Sequence, residues 1–310
     1  MIYVDASLLK QSSCKRYIYW TSCGWERPGV NYKADFGSAI HKALQYYYNA
    51  LGAAGNNLSV SDFSATVDGA KKKATDFWSK IEEKAEIKDA DREIYNEFHL
   101  ECVLDRYFQV YRNDSTLQVL KGCGERYLVE EKFQIPYSKE VTITGTIDLP
   151  CNYFGELVVM DTKTFKLYGS MEDKFQSFQL EPQGMLYSWA WQRITGSETY
   201  FPFVINGIAI KKITTGKTDD AKYPCVLRRS DPIRYSKQLM ARFEIWLQER
   251  IESLLASYDK KQGDPDFACC SKGFPVCKYQ KVCKFDEEHH QKLLETTFIQ
   301  REYNPLNFQE

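Results

Sequence analysis

Two acids and a lysine stand close together in the middle of the chain: Asp148, then after an apolar run Asp161 and, two residues later, Lys163. Residues 142–149 alternate β-branched and small side chains, and residues 156–164 favour strand, with Asn152 and Gly155 supplying a turn between them. The pattern predicts a β-hairpin. With its turn centred near residues 154 and 155, Asp148 falls opposite Asp161. The period of two along a strand then puts Asp161 and Lys163 on one side and Thr162 on the other. Two carboxylates side by side repel unless something positive sits between them, so the arrangement calls for a divalent cation. A hard cation on two aspartates, with a lysine in reach, suits metal-assisted hydrolysis of a phosphate ester. Taken alone, an Asp-x-Lys strand is more often a solvated face with a cross-strand ion pair.

Helices must position this hairpin. Residues 35–49 have Asp35 to cap the start and Phe36, Ile40, Leu44 and Tyr47 at helical spacing. His41 lies beside that stripe. A lone histidine there is ordinarily a satisfied core or surface residue, and only its company with two aspartates makes a ligand role the better reading. Gln183 and Tyr187 are four apart and share a helix face, with Leu186, Trp189 and Ala190 to pack on the sheet. Further helices are expected within residues 61–84 and 90–112, the second carrying Ile94, Phe98, Leu104 and Phe108 inward. A core sheet follows over 125–166, a strand over 201–212, a polar turn over 214–220 and a long helix within 232–258. The tail from residue 289 is expected to hold a short helix with His289 and His290 on the surface.

Gly145 and Asp148, followed by Asp161 and Lys163, resemble the core of the PD-(D/E)xK nucleases, in particular the RecB-like branch. Three more elements of that branch stand in order. Gly37 and His41 resemble its Gly-x-x-x-His helix, Val129, Glu130 and Phe133 its first core strand, and Gln183 and Tyr187 its Gln-x-x-x-Tyr helix. The resemblance implies an α/β fold, a restriction-endonuclease-like mixed sheet core flanked by helices, with a helical insert and a C-terminal Cys cluster tied to the N-terminal segment. It implies one nuclease domain over residues 1–310: an N-terminal segment (1–30), a helical region (35–112), a catalytic core (125–212), a long helix (232–258) and the cysteine cluster (269–283). It further implies that His41, Asp148, Asp161 and the backbone carbonyl of Thr162 hold Mg²⁺ or Mn²⁺, with Glu130 standing behind them. Lys163 would position the attacking water or stabilise transition-state charge, and Gln183 and Tyr187 would contact substrate or support the water. Whether one or two ions act stays open.

Ten cysteines carry a second signal. Cys269, Cys270, Cys277 and Cys283 crowd together, whereas Cys23, Cys102, Cys123, Cys151 and Cys225 are scattered and read as buried or incidental thiols. The N-terminal stretch lacks the apolar core of a secretion signal, so a reducing, cytoplasmic setting is expected, where clustered cysteines suggest metal more than disulfides. The segment around Cys14 resembles the opening of the iron–sulfur group of RecB-like nucleases, which includes CRISPR-associated exonucleases and nuclease domains of helicase–nucleases. Cys277 and Cys283 resemble the end of their cluster motif. That group has a further cysteine just before its Cys-x-Tyr pair, where this chain has Phe274. The resemblance thus implies a 4Fe–4S cluster on Cys14, Cys270 or Cys269, Cys277 and Cys283, with structural zinc on the same thiolates as the alternative. Either would tie the first segment to the last without redox chemistry.

At 310 residues, 43% hydrophobic and 15% aromatic, the chain can bury a full core. No run approaches the roughly 20 apolar residues of a membrane span, so no membrane partner is expected. A formal net charge of -1 argues against a general DNA-coating protein. A strand threaded through one groove needs only local positive charge, which Lys71, Lys72, Lys73, Lys211, Lys212, Arg228 and Arg229 could supply, although each is ordinarily a solvated residue. By resemblance the expected activity is an exonuclease on DNA ends or single strands, with DNA as partner and room for a helicase, recombinase or integrase. Two other readings stay open: a nuclease-fold DNA-binding subunit of a repair, recombination or spacer-acquisition complex, and a scaffold with a zinc knot.

Overall fold

A computed structural model describes residues 1–10, 14–112, 114–166, 169–213, 223–270 and 277–306, with only the backbone of residues 268 and 269. The polar turn expected at 214–220, Phe274 and the side chain of Cys269 lie outside the described residues. The strands are β1 (Ile2–Val4), β2 (Trp25–Glu26), β3 (Leu117–Val119), β4 (Glu131–Pro136), β5 (Val141–Ile147), β6 (Leu149–Tyr153), β7 (Glu156–Lys166), β8 (Phe203–Ile210), β9 (Cys225–Arg229) and β10 (Ile299–Gln300). The helices are α1 (Ala6–Lys10), α2 (Lys15–Ser22), α3 (Tyr32–Ala53), α4 (Val60–Glu82), α5 (Asp89–Arg92), α6 (Glu97–Val110), α7 (Met171–Phe178), α8 (Pro182–Thr195), α9 (Lys237–Asp259), α10 (Phe267–Cys270), α11 (Gln280–Cys283) and α12 (Glu287–Thr297).

The main sheet has the order β3-β6-β7-β8-β9, a second β1-β5-β4, and β10 pairs with β2. β7 runs parallel to β8 and β1 parallel to β5, while the other pairs are antiparallel. This is the mixed α/β core flanked by helices that the resemblance implies.

Strands β7 and β8 are buried on both faces, as expected of a parallel pair under helices. Val158, Met160, Val204 and Ile208 pack with Phe36, Ile40, Tyr47, Trp78, Leu104 and Tyr107 from α3, α4 and α6. The alternate residues Val159, Ile205 and Ala209 pack with Leu186, Trp189, Met240 and Phe243 from α8 and α9. A third, smaller core joins the two ends of the chain through Trp20, Trp25, Tyr279, Val282, Leu294 and Phe298.

The expected hairpin is split in its first arm. Residues 141–147 form β5, which pairs with β1 and β4, and the chain changes sheets at Asp148, so that only β6 pairs with β7. Alternation marks a strand but not its partner. The turn does fall at Phe154 and Gly155, whose φ values of 52° and 83° are the two left-handed positions of a tight hairpin turn. Three smaller expectations are corrected. Asn31, not Asp35, caps α3, accepting from the Ala34 N–H. Phe98 is 71% exposed, because α6 starts at Glu97 behind its Asn96 cap and turns Leu100, Val103 and Tyr107 inward instead. His290 is buried beside Leu294 on one face of α12 and donates from Nε2 to the Phe285 carbonyl at 2.8 Å. Among the described residues no helix is long and apolar enough to cross a membrane.

Candidate active site

The change of sheets at Asp148 leaves the main chain of Thr162 without a strand partner on the β6 side, since that ladder begins at Leu149 opposite Met160. Side chains take the empty positions. The Thr162 N–H donates to Asp148 Oδ2 at 2.6 Å, and His41 Nε2 donates to the Thr162 carbonyl at 3.1 Å. With Nε2 bonded to that carbonyl, Nδ1 faces Glu130 Oε1 at 3.6 Å and Asp148 Oδ2 at 3.4 Å. Gly37 lets α3 come this close, because a Cβ there would lie 2.5 Å from Thr164 Oγ1 on β7. One turn further on, His41 reaches Thr162.

Glu130 stands at the head of β4 with φ 52°, a left-handed backbone that costs a non-glycine residue energy. Its N–H donates to the Asp148 carbonyl at 2.8 Å. Ligand atoms of His41, Glu130 and Asp148 all lie within 4.8 Å of one another. Glu130, expected behind the ligands, brings a carboxylate oxygen within that same distance of His41 and Asp148. Its position just before a strand was legible, but not the turn of the backbone that aims it. The Thr162 carbonyl, expected as a ligand, is engaged by the His41 ring.

Electrostatics mark the cluster as a place for a cation. Burial, together with repulsion from Asp161 and Glu130, pushes the Asp148 carboxyl up to about 8 against the opposing pull of His41. Burial favours neutral His41, yet Asp148 and Glu130 outweigh it and push the ring up to about 9. A divalent ion among these donors turns the repulsion between the acids into attraction, and a nitrogen with two carboxylates is a donor set that Mg²⁺ or Mn²⁺ accepts. The residues therefore fit the metal.

On the opposite face of β7, Asp161 is 2% exposed and its Oδ2 lies 2.6 Å from Lys163 Nζ. Lys163 also donates to Gln183 Oε1 at 2.6 Å, while Gln183 Nε2 donates to Asp161 Oδ1 and to Tyr187 Oη, each at 3.0 Å. Burial would discharge Lys163, but Asp161 and Asp148 hold its pKa above the ordinary lysine value. Pro182 opens α8, which puts Gln183 in the first helical turn. Gly145 leaves room for this packing, since a Cβ there would lie 2.7 Å from the Phe133 ring and 3.4 Å from that of Tyr187.

Cysteines of the N- and C-terminal segments form a second region. Cys14 is buried before α2, and Cys277 and Cys283 bracket α11. Burial, and then the neighbouring Cys277 and Cys14, raise the Cys283 thiol to about 11, opposed by Arg16. Cys14 likewise raises Cys277 after burial. These three thiols thus act on one another electrostatically, although among the described residues their sulfurs do not form a group within 4.8 Å of one another. Cys270 ends α10, with its thiol 3.7 Å from the Asp266 carbonyl.

The basic groups expected to line a groove are largely engaged within the protein. The Arg229 side chain is 4% exposed and pairs with Asp114, so it belongs to the core. Arg228 pairs with Glu172, Lys212 with Glu93, and Lys71 with Asp105 at 3.0 Å.

Comparison with known proteins gives one family: a family model described as the PD-(D/E)XK nuclease superfamily matches residues 13–284. No curated protein matches the chain.

Proposed function

The chain belongs to the PD-(D/E)XK nuclease superfamily, and from that premise we propose that it is a metal-dependent deoxyribonuclease, an exonuclease acting on DNA ends or single strands. The observation that carries this reading is the convergence of His41, Glu130 and Asp148 within 4.8 Å, beside the linked Asp161, Lys163 and Gln183.

His41 Nδ1, Glu130 and Asp148 would hold Mg²⁺ or Mn²⁺, with Asp161 nearby. Such an ion acidifies a water and neutralises charge growing on the scissile phosphate. Asp161 and Gln183 hold the Lys163 ammonium in place, and its positive charge stabilises the phosphate in the transition state and orients the attacking water. Tyr187 fixes the Gln183 amide from behind. Thr162 keeps the acids and the imidazole aligned through its main chain.

The approach of Cys14, Cys277 and Cys283 supports a structural 4Fe–4S cluster completed by Cys270, zinc being the other metal that thiolates of this kind hold. Its role is to bind the N-terminal segment to the C-terminal one.

The test uses anaerobically purified protein and end-labelled linear DNA, single- and double-stranded, with Mg²⁺ or Mn²⁺. Wild type should degrade DNA from an end, Lys163→Ala should lose about 10²- to 10³-fold in rate, and the same preparation should contain iron and sulfide. Intact DNA in every wild-type reaction would overturn the nuclease reading, and zinc in place of iron the cluster.

A further inference from the structure

Behind Thr162, on the α3 and α6 side of the sheet, lies a polar layer inside an otherwise aromatic core. Asn206 of β8 stands opposite Thr162 in parallel register and is 1% exposed. Its Nδ2 donates to Thr162 Oγ1 at 3.1 Å and to Tyr107 Oη at 2.9 Å. Tyr107 Oη in turn lies 2.7 Å from Tyr48 Oη, so the chain of bonds reaches α6 and α3. Arg229, opposite Asn206 on β9, closes the layer with Asp114 and stacks 4.1 Å from the Tyr111 ring centre.

Stability does not account for this amide. Asn206 Oδ1 is buried without a hydrogen-bond partner, and reversing the amide merely exchanges which atom is left over. A buried polar atom left unbonded costs about 1–3 kcal/mol, which offsets the net gain of about 1 kcal/mol from each of the two bonds the amide makes. What the amide holds is the one residue whose N–H carries Asp148 and whose carbonyl carries His41. β-Branching already restricts the Thr162 side chain, and the bond from Asn206 ties its hydroxyl to β8.

We propose that Asn206, backed by Tyr107, is a positioning residue that fixes Thr162 and thereby the geometry of the His41, Glu130 and Asp148 cation site. The proposal rests on the metal-dependent reading above and concerns cation affinity before any cleavage. Outer partners that orient metal ligands are worth about 10- to 100-fold in affinity.

The experiment is a calorimetric titration of the full chain with Mn²⁺, alongside the melting temperature of each protein, for wild type, Asn206→Leu, Thr162→Val and His41→Ala. Folded Asn206→Leu and Thr162→Val should bind Mn²⁺ about 10- to 100-fold more weakly than wild type, with melting temperatures lowered by no more than the loss of one or two buried neutral bonds entails. Should Asn206→Leu fail to fold, Thr162→Val, which removes only the hydroxyl that receives the bond, decides the matter. Equal binding by wild type and His41→Ala would overturn the cation site and this role with it. Wild-type affinity in folded Thr162→Val, with His41→Ala impaired, would overturn the positioning role alone.

Discussion

The candidate active site and the region around the cysteines are assembled by different means. At the candidate active site, charged groups crowd around a single main-chain unit, Thr162, and Glu130 adopts a left-handed backbone among them. In the cysteine region, hydrogen bonds, rings and the Arg16–Glu287 ion pair hold together segments far apart in sequence. Tyr279 Oη donates to the Trp25 carbonyl at 2.6 Å, Arg27 to the Lys278 carbonyl at 2.9 Å, and β10 pairs with β2. The first region accepts repulsion and strain in exchange for a cation site. The second is closed by protein contacts already, so a cluster there reinforces a joint and does not create it.

The largest effect that separates the two regions is expected at Glu130. Glu130→Gly relieves the left-handed backbone and removes one of the repelling acids, so it should raise the unfolding free energy by about 1 kcal/mol while weakening Mn²⁺ binding about 10- to 100-fold. A variant that loses stability and keeps its affinity would break the contrast between a strained site and a relaxed joint.

Charge should also make the candidate active-site region sensitive to acid. Asp91 of α5 accepts from Lys166 at 2.7 Å, Lys33 at 2.8 Å and Tyr32 at 2.9 Å, tying α5 to β7 and α3. Lys166 foremost, then Lys33, hold its carboxyl well below the usual carboxylate range, against the effect of burial. The stabilisation is therefore fully present above the unfolded pKa of about 4 and is lost as pH falls through the lower folded value. Asp91→Asn should cost about 2 kcal/mol at pH 7 and flatten the acid limb of the stability curve, as read by urea unfolding from pH 7 to 3. An unchanged acid limb would remove Asp91 as its source.

The smallest effect is expected at the joint. Tyr279→Phe deletes neutral bonds to Trp25 and Thr21 from a fully buried ring, at a cost of about 1–2 kcal/mol. That loss should be equal at pH 7 and pH 5, with iron content unchanged. Loss of iron together with the tyrosine hydroxyl would show that the joint depends on this bond and not on closure by the surrounding contacts.

Much of this was legible before any coordinates. The stripe Phe36, Ile40, Leu44 and Tyr47 is buried as its spacing predicts, and the hairpin turns at Phe154 and Gly155. The register ends with Leu149 opposite Met160, and Asp148 just beyond it takes the Thr162 N–H with its side chain. These features are local, and a period of two or 3.6 records them directly. Arg229 departs from its expected place for the opposite reason. A pair such as Arg228 and Arg229 looks the same in sequence whether it faces solvent or, like Arg229, fills a core beside Asp114.

By itself the sequence determined the strand and helix that carry each reactive side chain, because side-chain periodicity and turn chemistry act between near neighbours. Tertiary structure alone decided that β5 leaves for another sheet at Asp148, that Glu130 turns into the vacated edge, and that Asn206 meets Thr162 across the parallel ladder. Those contacts join residues through partner choice and main-chain direction. Partner choice depends on how whole faces pack, and no spacing along the chain encodes it.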